Sequence, residues 1–559
     1  MLLLKKRFFG ILVLFMLVIG FGACGGEDRD DDGTGRKFWA LNTSTDKYYS
    51  LRADLLYEGN YCNVYVEQGL DLSKYSLTAS SLEEMAEDVA DAYDNKIYQK
   101  MINTFSIDGP IYNPQDSSDY MGNNIMEFAD AMADGDGKLT ILILDIKGGN
   151  DRFYVAGYFS PLNMFARDNG KVNLGANGKY TNECDMIYLN IRTDPGSTES
   201  NMTLAHEMQH MMCFATDVYV RNYNWMDLWI NEGLSSAAEY VYSGQHNEER
   251  ILHFAYATLS EYSQYTKIPA GNNFFVWGER PDYILDEYAT VYLFFQWLRL
   301  QSIPLYGSLS NYNIYKAIIG STSYDQEAVV NALKGKGNYS SGSDSTTLTW
   351  GAVLLDWFAA NYLAFPITVA TPYGTLGKPK HGYMADSEDL MLAFPKMLTS
   401  SSKQIYLYAG EGVYSKTASS GSISYPDSGL NIKYAGVDIN SSSTPISGTG
   451  EVDAKTYANG VLITYNVNPN NKKASSGLYS TEKGYVANIV STDTNFSLMK
   501  QSAFSIQSVK ATTSSSQAIT SLDRTTKPPK PQAISMGDML RMNGHKDTGN
   551  DAKNFSRVK

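Results

Sequence analysis

The sequence predicts an α+β domain, with a mixed sheet and backing helices first and a helical half after it, followed by a small β-sandwich domain. Three observations predict this order. Short apolar runs bounded by turn residues, typical of buried strands, lie before residue 196. Helical spacing of apolar residues dominates from 197 to about 363, and short strands between turn-rich segments follow residue 399. At 559 residues the chain exceeds one compact core, so more than one folded unit is expected.

Residues 1–23 are typical of a bacterial export signal. Lys5-Lys6-Arg7 precedes an apolar run from Phe8 to Gly22, which is too short and wrongly flanked for a transmembrane helix. The run ends at Phe21-Gly22-Ala23-Cys24, and small residues before a Cys resemble a lipoprotein signal, with cleavage before Cys24 and lipid on its sulfur. An ordinary secretory signal cleaved nearby is the alternative. We therefore expect a cell-envelope protein whose acylated Cys24 inserts into a lipid bilayer.

Residues 24–36 are acidic and rich in Gly, and this composition predicts a solvated tether. The formal charge of the whole chain is -14. Removing the signal would remove Lys5, Lys6 and Arg7 and no acids, which gives -14 - 3 = -17. A body this acidic, without a basic stripe, does not suit nucleic acid as a partner.

Residues 37–196 are the α/β half of a domain that we place at 37–398. Alternating apolar residues from Tyr48 to Glu67 predict one or two strands, and Ser81–Phe105 has the spacing of a helix long enough to back a sheet. Three apolar runs predict buried strands: Leu139–Asp145, Phe153–Phe159 and Met186–Ile191. Before the first run, Asp134-Gly135-Asp136-Gly137 favours a tight turn over a calcium loop, because the other acids of such a loop are not in register.

Residues 197–398 form the helical half, and the sequence pattern beyond them changes from helical spacing to short strands. Further helices are predicted over Ile251–Leu259, Tyr288–Leu300, Glu327–Leu333 and Trp350–Leu363. Short strands at turn-rich intervals predict a β-rich accessory domain over 399–509. Ser/Thr runs and the Lys527–Pro531 segment predict a disordered tail over 510–559.

The pentapeptide His206-Glu207-Met208-Gln209-His210 lies at the start of the helical half. In a helix, residues four apart are separated by about 40° around the axis and about 6 Å along it, so both imidazoles can reach one metal ion. The flanking segments are largely apolar, which predicts a half-buried helix, and a buried His pair without a partner is costly. Zinc accepts imidazole nitrogen, and Glu207 lies where its carboxylate can take a proton from a water on the metal.

Two acids on a following helix complete the pattern. Glu232 falls near the start of a helical segment, and Glu239 lies seven residues later, almost two turns, on the same face. This suits Glu232 as a third zinc ligand and Glu239 as a hydrogen-bond partner for a ligand His, although a solvated surface charge is the alternative for Glu239. A structural zinc would need four protein ligands, and Cys213 lacks the paired-Cys spacing of such sites.

These motifs resemble the gluzincin metallopeptidases, in which HExxH on one helix is joined by a Glu on a later helix. Trp229–Glu239 is similar to the W-x-N-E-G-x-x-x-x-x-E run of that clan. The chain resembles the hyicolysin family of neutral metallopeptidases in particular, over about residues 40 to 400, through Gly157–Pro161, Asp185–Asn190 and Thr203–His210. The resemblance implies a zincin-like fold, one Zn²⁺ bound by His206, His210 and Glu232, and Glu207 as general base. It also implies that the 153–159 strand is the sheet edge that pairs with extended substrate.

The resemblance to gluzincins also implies a tyrosine that stabilises the oxyanion of the tetrahedral intermediate. Tyr288–Leu298 is similar to the segment that begins with this Tyr in gluzincins. A donor aimed at developing charge acts mainly on the transition state. Tyr292 lies on the same face as Tyr288, and core packing is the alternative for both.

The resemblance implies a membrane-anchored zinc endopeptidase that acts on proteins or peptides. Two alternatives stay open: a gluzincin aminopeptidase, and a non-catalytic zinc-containing lipoprotein that binds a partner on a surface. An aminopeptidase carries a G-x-M-E-N strand, and Met126-Glu127 has the wrong neighbours for it. Cys62, Cys184 and Cys213 allow one disulfide at most. Core burial is equally consistent with the strand-like surroundings of Cys62 and Cys184.

Overall fold

The computed structural model describes residues 34–363, apart from 149–152, 168–171, 174, 248–249, 251–283, 304–307 and 309. Beyond residue 404 it describes position 410 and the segments 405–407, 412–416, 423–424, 432–438, 446–447, 460–467, 485–487, 490–491, 532–534 and 556–557. The predicted signal, Cys24, most of the tether and the predicted helix Ile251–Leu259 lie outside the described residues.

A mixed six-stranded sheet forms the first layer of the molecule. In chain order the strands before the helical half are β1 (Arg36–Asn42), β2 (Lys47–Glu58), β3 (Cys62–Glu67), β4 (Ile111–Asn113), β5 (Asp116–Gly122), β6 (Leu139–Leu144), β7 (Phe153–Val155), β8 (Gly157–Phe159), β9 (Val172–Asn173) and β10 (Met186–Asn190). The sheet order is β1-β2-β3-β6-β10-β8, and β4 and β5 form a separate hairpin. The β3–β6 and β6–β10 pairs are parallel, and the outer pairs are antiparallel.

The two central strands are buried at every position, as expected for parallel strands covered on both faces. Their side chains alternate between two apolar clusters. Ile141 and Ile143 face the large cluster under the helices, whereas Leu142 and Leu144 face a smaller one on the opposite side. The predicted buried strands at 139–145 and 186–191 are therefore present.

The described helices cover the face of the sheet that carries Ile141 and Ile143, and they extend the core beyond the sheet. They are α1 (Ala79–Ala92), α2 (Tyr98–Phe105), α3 (Ile125–Ala133), α4 (Thr198–Tyr219), α5 (Leu228–Ser243), α6 (Ile284–Ser302), α7 (Asn313–Ile319), α8 (Gln326–Leu333), α9 (Asp344–Thr347) and α10 (Trp350–Leu363). The single helix predicted over Ser81–Phe105 is interrupted by a wider π-type turn at Tyr93–Ile97, so it becomes α1 and α2. The bounds predicted for the 350–363 helix agree with α10.

The strand predicted over Phe153–Phe159 is divided at Ala156. Its second part, β8, pairs with β10 and lies at the edge of the six-stranded sheet among the described residues. Its first part, β7, pairs with β19 (Gln532–Ile534) instead. Sequence patterns gave no prediction for the α3 helix, for the β4–β5 hairpin or for β1, whose first residue falls within the predicted tether.

The described residues after 404, apart from 410 and 467, lie in strands. They are β11 (Ile405–Leu407), β12 (Gly412–Lys416), β13 (Ile423–Ser424), β14 (Ile432–Asp438), β15 (Ile446–Ser447), β16 (Gly460–Asn466), β17 (Tyr485–Ala487) and β18 (Val490–Ser491), then β19 and β20 (Ser556–Arg557). Four of them form one sheet in the order β12-β16-β14-β15. The sandwich arrangement stays a prediction.

The C-terminal strands belong to the same compact unit as the helices, a unit that begins at Gly35. Tyr465 of β16 packs against Phe358 of α10 with ring centroids 5.9 Å apart. Within the tail predicted to be disordered, β19 and β20 pair with β7 and β9 of the α/β half. For the other residues of 510–559, disorder stays a prediction.

Two predictions about covalent and membrane chemistry bear on the described part of the chain. Cys62, Cys184 and Cys213 are all buried free thiols, so the core-burial alternative describes them. Cys213 contacts the sulfur of Met226 at 4.0 Å. No helix in the described ranges has the length and apolar character needed to cross a bilayer.

Candidate metal centre

Helix α4 carries the HExxH residues through the middle of the core. Its N-terminus is capped by Ser197, whose hydroxyl oxygen accepts a hydrogen bond from the Ser200 N–H at 3.2 Å. His206 and Glu207 lie on the third turn and are only 6% and 4% exposed. A polar pair this deeply buried needs partners, and these come from α5 and from the sheet edge.

The predicted zinc ligands converge on one point. His206 Nε2 and His210 Nε2 each lie 3.5 Å from Oε2 of Glu232, and one ligand atom from each residue falls within 4.8 Å of the others. Two atoms that each lie about 2.0–2.2 Å from one zinc ion are separated by at most about 4.4 Å, so a small adjustment of side chains brings all three into bonding range. Glu232 Oε2 is buried and has no hydrogen-bond donor among the described residues. An orphaned carboxylate oxygen facing two imidazole nitrogens fits a zinc ion.

The other ring nitrogen of His206 is held by Glu239. His206 Nδ1 lies 3.0 Å from Glu239 Oε1, which also accepts a hydrogen bond from Arg250 Nη2 at 2.8 Å. The second Glu239 oxygen accepts from Asn247 Nδ2 at 2.9 Å. Burial would raise the pKa of Glu239, but the charges of Arg250 and His206 outweigh it and lower this pKa to about 2. Glu239 is therefore an anion that fixes His206 with Nε2 directed at the metal position.

His210 is oriented by neutral groups. Its Nδ1 lies 3.0 Å from Asn231 Oδ1 and 3.0 Å from Ser235 Oγ. The Ser235 hydroxyl donates its proton to Gln209 Oε1. Ser235 Oγ and Asn231 Oδ1 therefore both face His210 Nδ1 as acceptors, which favours the Nδ1–H tautomer. Both imidazoles thus have Nδ1 engaged and Nε2 free for a metal.

The electrostatics of the pocket favour positive charge. Burial lowers the pKa of His206, but the carboxylates of Glu232 and Glu239 outweigh this effect and raise the pKa to about 10. Burial would raise the pKa of Glu232, yet the two histidines hold it well below its ordinary value. In other words, the carboxylates draw positive charge into the site, and a divalent ion can supply that charge while both imidazoles stay neutral.

Glu207 lies between the metal position and the sheet edge. Its Oε2 accepts a hydrogen bond from the Phe159 N–H of β8 at 2.9 Å. Gly157 of the same strand packs so tightly that a Cβ there would lie 2.8 Å from Tyr188 O and 3.0 Å from Thr203 Cγ2. Burial raises the pKa of the Glu207 carboxyl, partly offset by His210 and His206, so it is a stronger base than an exposed Glu.

The two candidate tyrosines occupy different environments on α6. The Tyr292 hydroxyl contacts His246 Nδ1 at 2.9 Å and accepts from the Asn247 N–H at 3.1 Å. The Tyr288 ring lies 6.4 Å from the His206 ring, with the Arg250 guanidinium 4.5 Å from its centroid. Tyr288 is therefore beside the metal position, whereas the hydroxyl of Tyr292 is committed to the loop after α5.

Sequence reasoning did not identify Asn231, Ser235, Asn247 or Arg250 as parts of the site. Ser235 lies three residues after Glu232 and four after Asn231, so helical geometry places Ser235 on a face with each of them. Arg250 comes from beyond the end of α5, and its contact with Glu239 had no signal in the sequence.

We compared the chain with known proteins. No protein-family model matches it. The chain is 26% identical over 308 residues to the neutral metalloprotease ShpI of Staphylococcus hyicus, an alignment that covers 53% of this chain and 57% of that protein. The chain therefore spans little more than half the length of this relative, and over that span it is similar to a neutral metalloprotease.

Proposed function

We propose that this protein is a zinc-dependent endopeptidase. The convergence of His206, His210 and Glu232 on one point, next to the buried carboxylate of Glu207, is the observation that carries this proposal. The similarity to a neutral metalloprotease supports it, and the hyicolysin-like motifs agree with that similarity.

The residues divide the chemistry of peptide hydrolysis among them. Zinc bound by His206, His210 and Glu232 would supply a Lewis acid that polarises the scissile carbonyl and lowers the pKa of a bound water. Glu207 takes a proton from the attacking water and delivers it to the leaving amine. Glu239 holds His206 in one tautomer. Tyr288, whose ring lies beside His206, would donate a hydrogen bond to the oxyanion.

An extended peptide is the substrate that this site suits. Within the described ranges, the edge strand β8 pairs with a neighbouring strand on one side, so an added strand could pair on the other. The Phe159 N–H links this strand to Glu207. The aminopeptidase alternative needs an acid that binds the substrate's free amine. Glu127 does not serve, because its carboxylate accepts from the Asn123 N–H and the Asn124 side chain at the start of α3. Glu207 also argues against a non-catalytic zinc scaffold, which has no use for a base beside the metal.

We further propose that the enzyme is exported and held in a bacterial cell envelope through an acylated Cys24. The support is the charged and apolar pattern of residues 1–23 and the small residues before Cys24. Proteins or peptides outside the cytoplasm are the substrates consistent with that location.

The decisive experiment is the Glu207→Gln variant, assayed on casein, on N-blocked peptides and on free peptides. We expect the variant to bind as much zinc as the wild type. We expect its kcat/KM to fall about 10²- to 10⁴-fold, the range that general acid–base catalysis contributes. Glu199→Gln removes an exposed acid from the same helix and is the matched control. Undiminished cleavage by Glu207→Gln would refute the mechanism, and wild-type cleavage limited to free N-termini would favour an aminopeptidase.

A further inference from the structure

A second cluster of acids lies apart from the zinc ligands. Asp130, Asp134 and Asp185 each place one carboxylate oxygen within 4.8 Å of the others. Asp130 is in the last turn of α3 and Asp134 follows that helix, whereas Asp185 immediately precedes β10. The cluster is thus at the amino ends of β6 and β10, whereas the zinc ligands follow the carboxyl end of β10.

The groups around this cluster add to its negative charge more than they neutralise it. Asp130 and Asp134 are four residues apart at a helix C-terminus, where backbone carbonyls add further negative potential. The exposed Asp136 adds to this potential. Arg36 offsets part of the charge on Asp134, but Lys138 is turned to Glu58, with Nζ and Oε1 2.6 Å apart.

Asp185 provides the observation that points to a ligand. It is 1% exposed, and its Oδ1 is a buried atom with no hydrogen-bond partner among the described residues. Leaving such a carboxylate oxygen unpaired costs several kcal/mol, on the order expected for a buried charge, unless a proton or a cation compensates it. The backbone holds this residue in place, because the Asp185 carbonyl accepts from the Thr140 N–H at 3.0 Å.

We propose that Asp130, Asp134 and Asp185 bind a second cation, a hard divalent ion of the calcium class. All three donors are carboxylate oxygens, which calcium prefers over the nitrogen and sulfur ligands of zinc. Two oxygens that each lie about 2.4 Å from one calcium ion can be up to about 4.8 Å apart. The three carboxylate oxygens lie within 4.8 Å of one another, so one ion can contact all of them. Bound there, the ion ties the end of α3 to the start of β10 and stabilises the α/β half.

Burial and neighbouring acids raise the pKa of Asp134 to about 7 and that of Asp185 well above its ordinary value. The alternative to a bound calcium ion is therefore a cluster in which the three carboxyl groups share protons. The two arrangements make opposite predictions for the Asp185→Asn variant, since removing charge relieves repulsion in a proton-sharing cluster but removes a ligand from a calcium site.

The test is calcium titration of the full chain, loaded with zinc and freed of other metals, by calorimetry and thermal unfolding. We expect one calcium ion per chain and a melting temperature that rises with calcium. Asp185→Asn should bind calcium at least tenfold more weakly, and it should melt at or above wild type without calcium but below it with calcium. Asp91→Asn, which removes an exposed acid from α1, should behave as wild type.

Asp134→Asn provides a second, less buried substitution if Asp185→Asn does not fold, and it too should lose calcium binding. Absence of calcium binding by the wild type would overturn the assignment, as would undiminished binding by both variants. Magnesium binding in place of calcium would overturn the ion class that we assign.

Discussion

At the residue scale, the site depends on how each imidazole is held. Glu239 accepts hydrogen bonds from His206, Asn247 and Arg250. His206 belongs to α4, whereas Asn247 and Arg250 both belong to the segment after α5. His210 has neutral partners, Asn231 and Ser235. Since a carboxylate raises the basicity of its imidazole more than an amide does, His206 should be the stronger ligand of the two.

Replacing Glu239 by Gln tests this role. We expect zinc affinity to fall about 10- to 100-fold, the usual effect of removing the acceptor behind a ligand His. The chain should also lose stability, because Arg250 would be left buried without its counter-ion. Competition with a chromogenic chelator measures the affinity, with Glu199→Gln as the control. Affinity within twofold of the wild type would show that Glu239 does not orient His206.

At the scale of elements, Glu232, the proposed third zinc ligand, is positioned by close packing of α5 on α6. A Cβ at Gly233, next to Glu232, would lie only 2.3 Å from Cε2 of Phe295. The glycine is therefore required by the approach of a neighbouring helix and not by its own backbone angles. That approach also brings Tyr288 of α6 to the side of His206.

Gly233→Ala should destabilise the protein in spite of alanine's helix propensity. Alanine favours a helix interior by up to about 1 kcal/mol over glycine, whereas overpacking a core costs about 1–3 kcal/mol. We expect a lower free energy of unfolding and weaker zinc binding, because Glu232 must move with the helix. Chemical denaturation and chelator competition report the two effects.

A second substitution isolates the cause. Phe295→Leu shortens the side chain that Gly233 faces, so the cost of Gly233→Ala should be smaller in that background. If alanine at this position stabilises the wild-type protein, helix propensity outweighs the contact and the explanation fails.

At the scale of the whole molecule, the candidate metal site joins elements from distant parts of the chain. Helices α4 and α5 supply the ligands, the loop after α5 supplies Arg250, and the sheet edge supplies the donor to Glu207. The C-terminal strands β19 and β20 return to the α/β half through β7 and β9. Loss of the metal should therefore affect global stability as well as activity.

Removing zinc with a chelator should abolish cleavage and lower the melting temperature. At free zinc about 1,000-fold above its dissociation constant, binding contributes about 4 kcal/mol to the free energy of unfolding. Glu232→Ala should show little response of its melting temperature to zinc, and Glu207→Gln should respond as the wild type does. Equal melting curves for the wild type with and without zinc would show that the metal has no part in holding these helices together.

Much of the fold was predictable because the pattern of apolar residues along each segment indicates whether it is a strand or a helix. The β6 and β10 strands are short continuous apolar runs, and α10 is an apolar run of 14 residues, a length that favours a buried helix over a strand. The break of the Ser81–Phe105 helix at Tyr93, the division of 153–159 into β7 and β8, and the α3 helix were not predictable in this way. Each depends on what packs against the segment, which periodicity does not contain.

The sequence by itself determined the candidate zinc ligands and the base, because spacings of four and seven residues fix which side chains share a helix face. Tertiary structure alone decided that Glu232 meets the two histidines, that Arg250 and Asn247 complete the shell around Glu239, and that Tyr288 rather than Tyr292 stands beside His206. It also brought Asp185 to Asp130 and Asp134 across some fifty residues of sequence. The physical reason is that helix geometry is local, whereas the approach of one element to another is set by packing of the whole core.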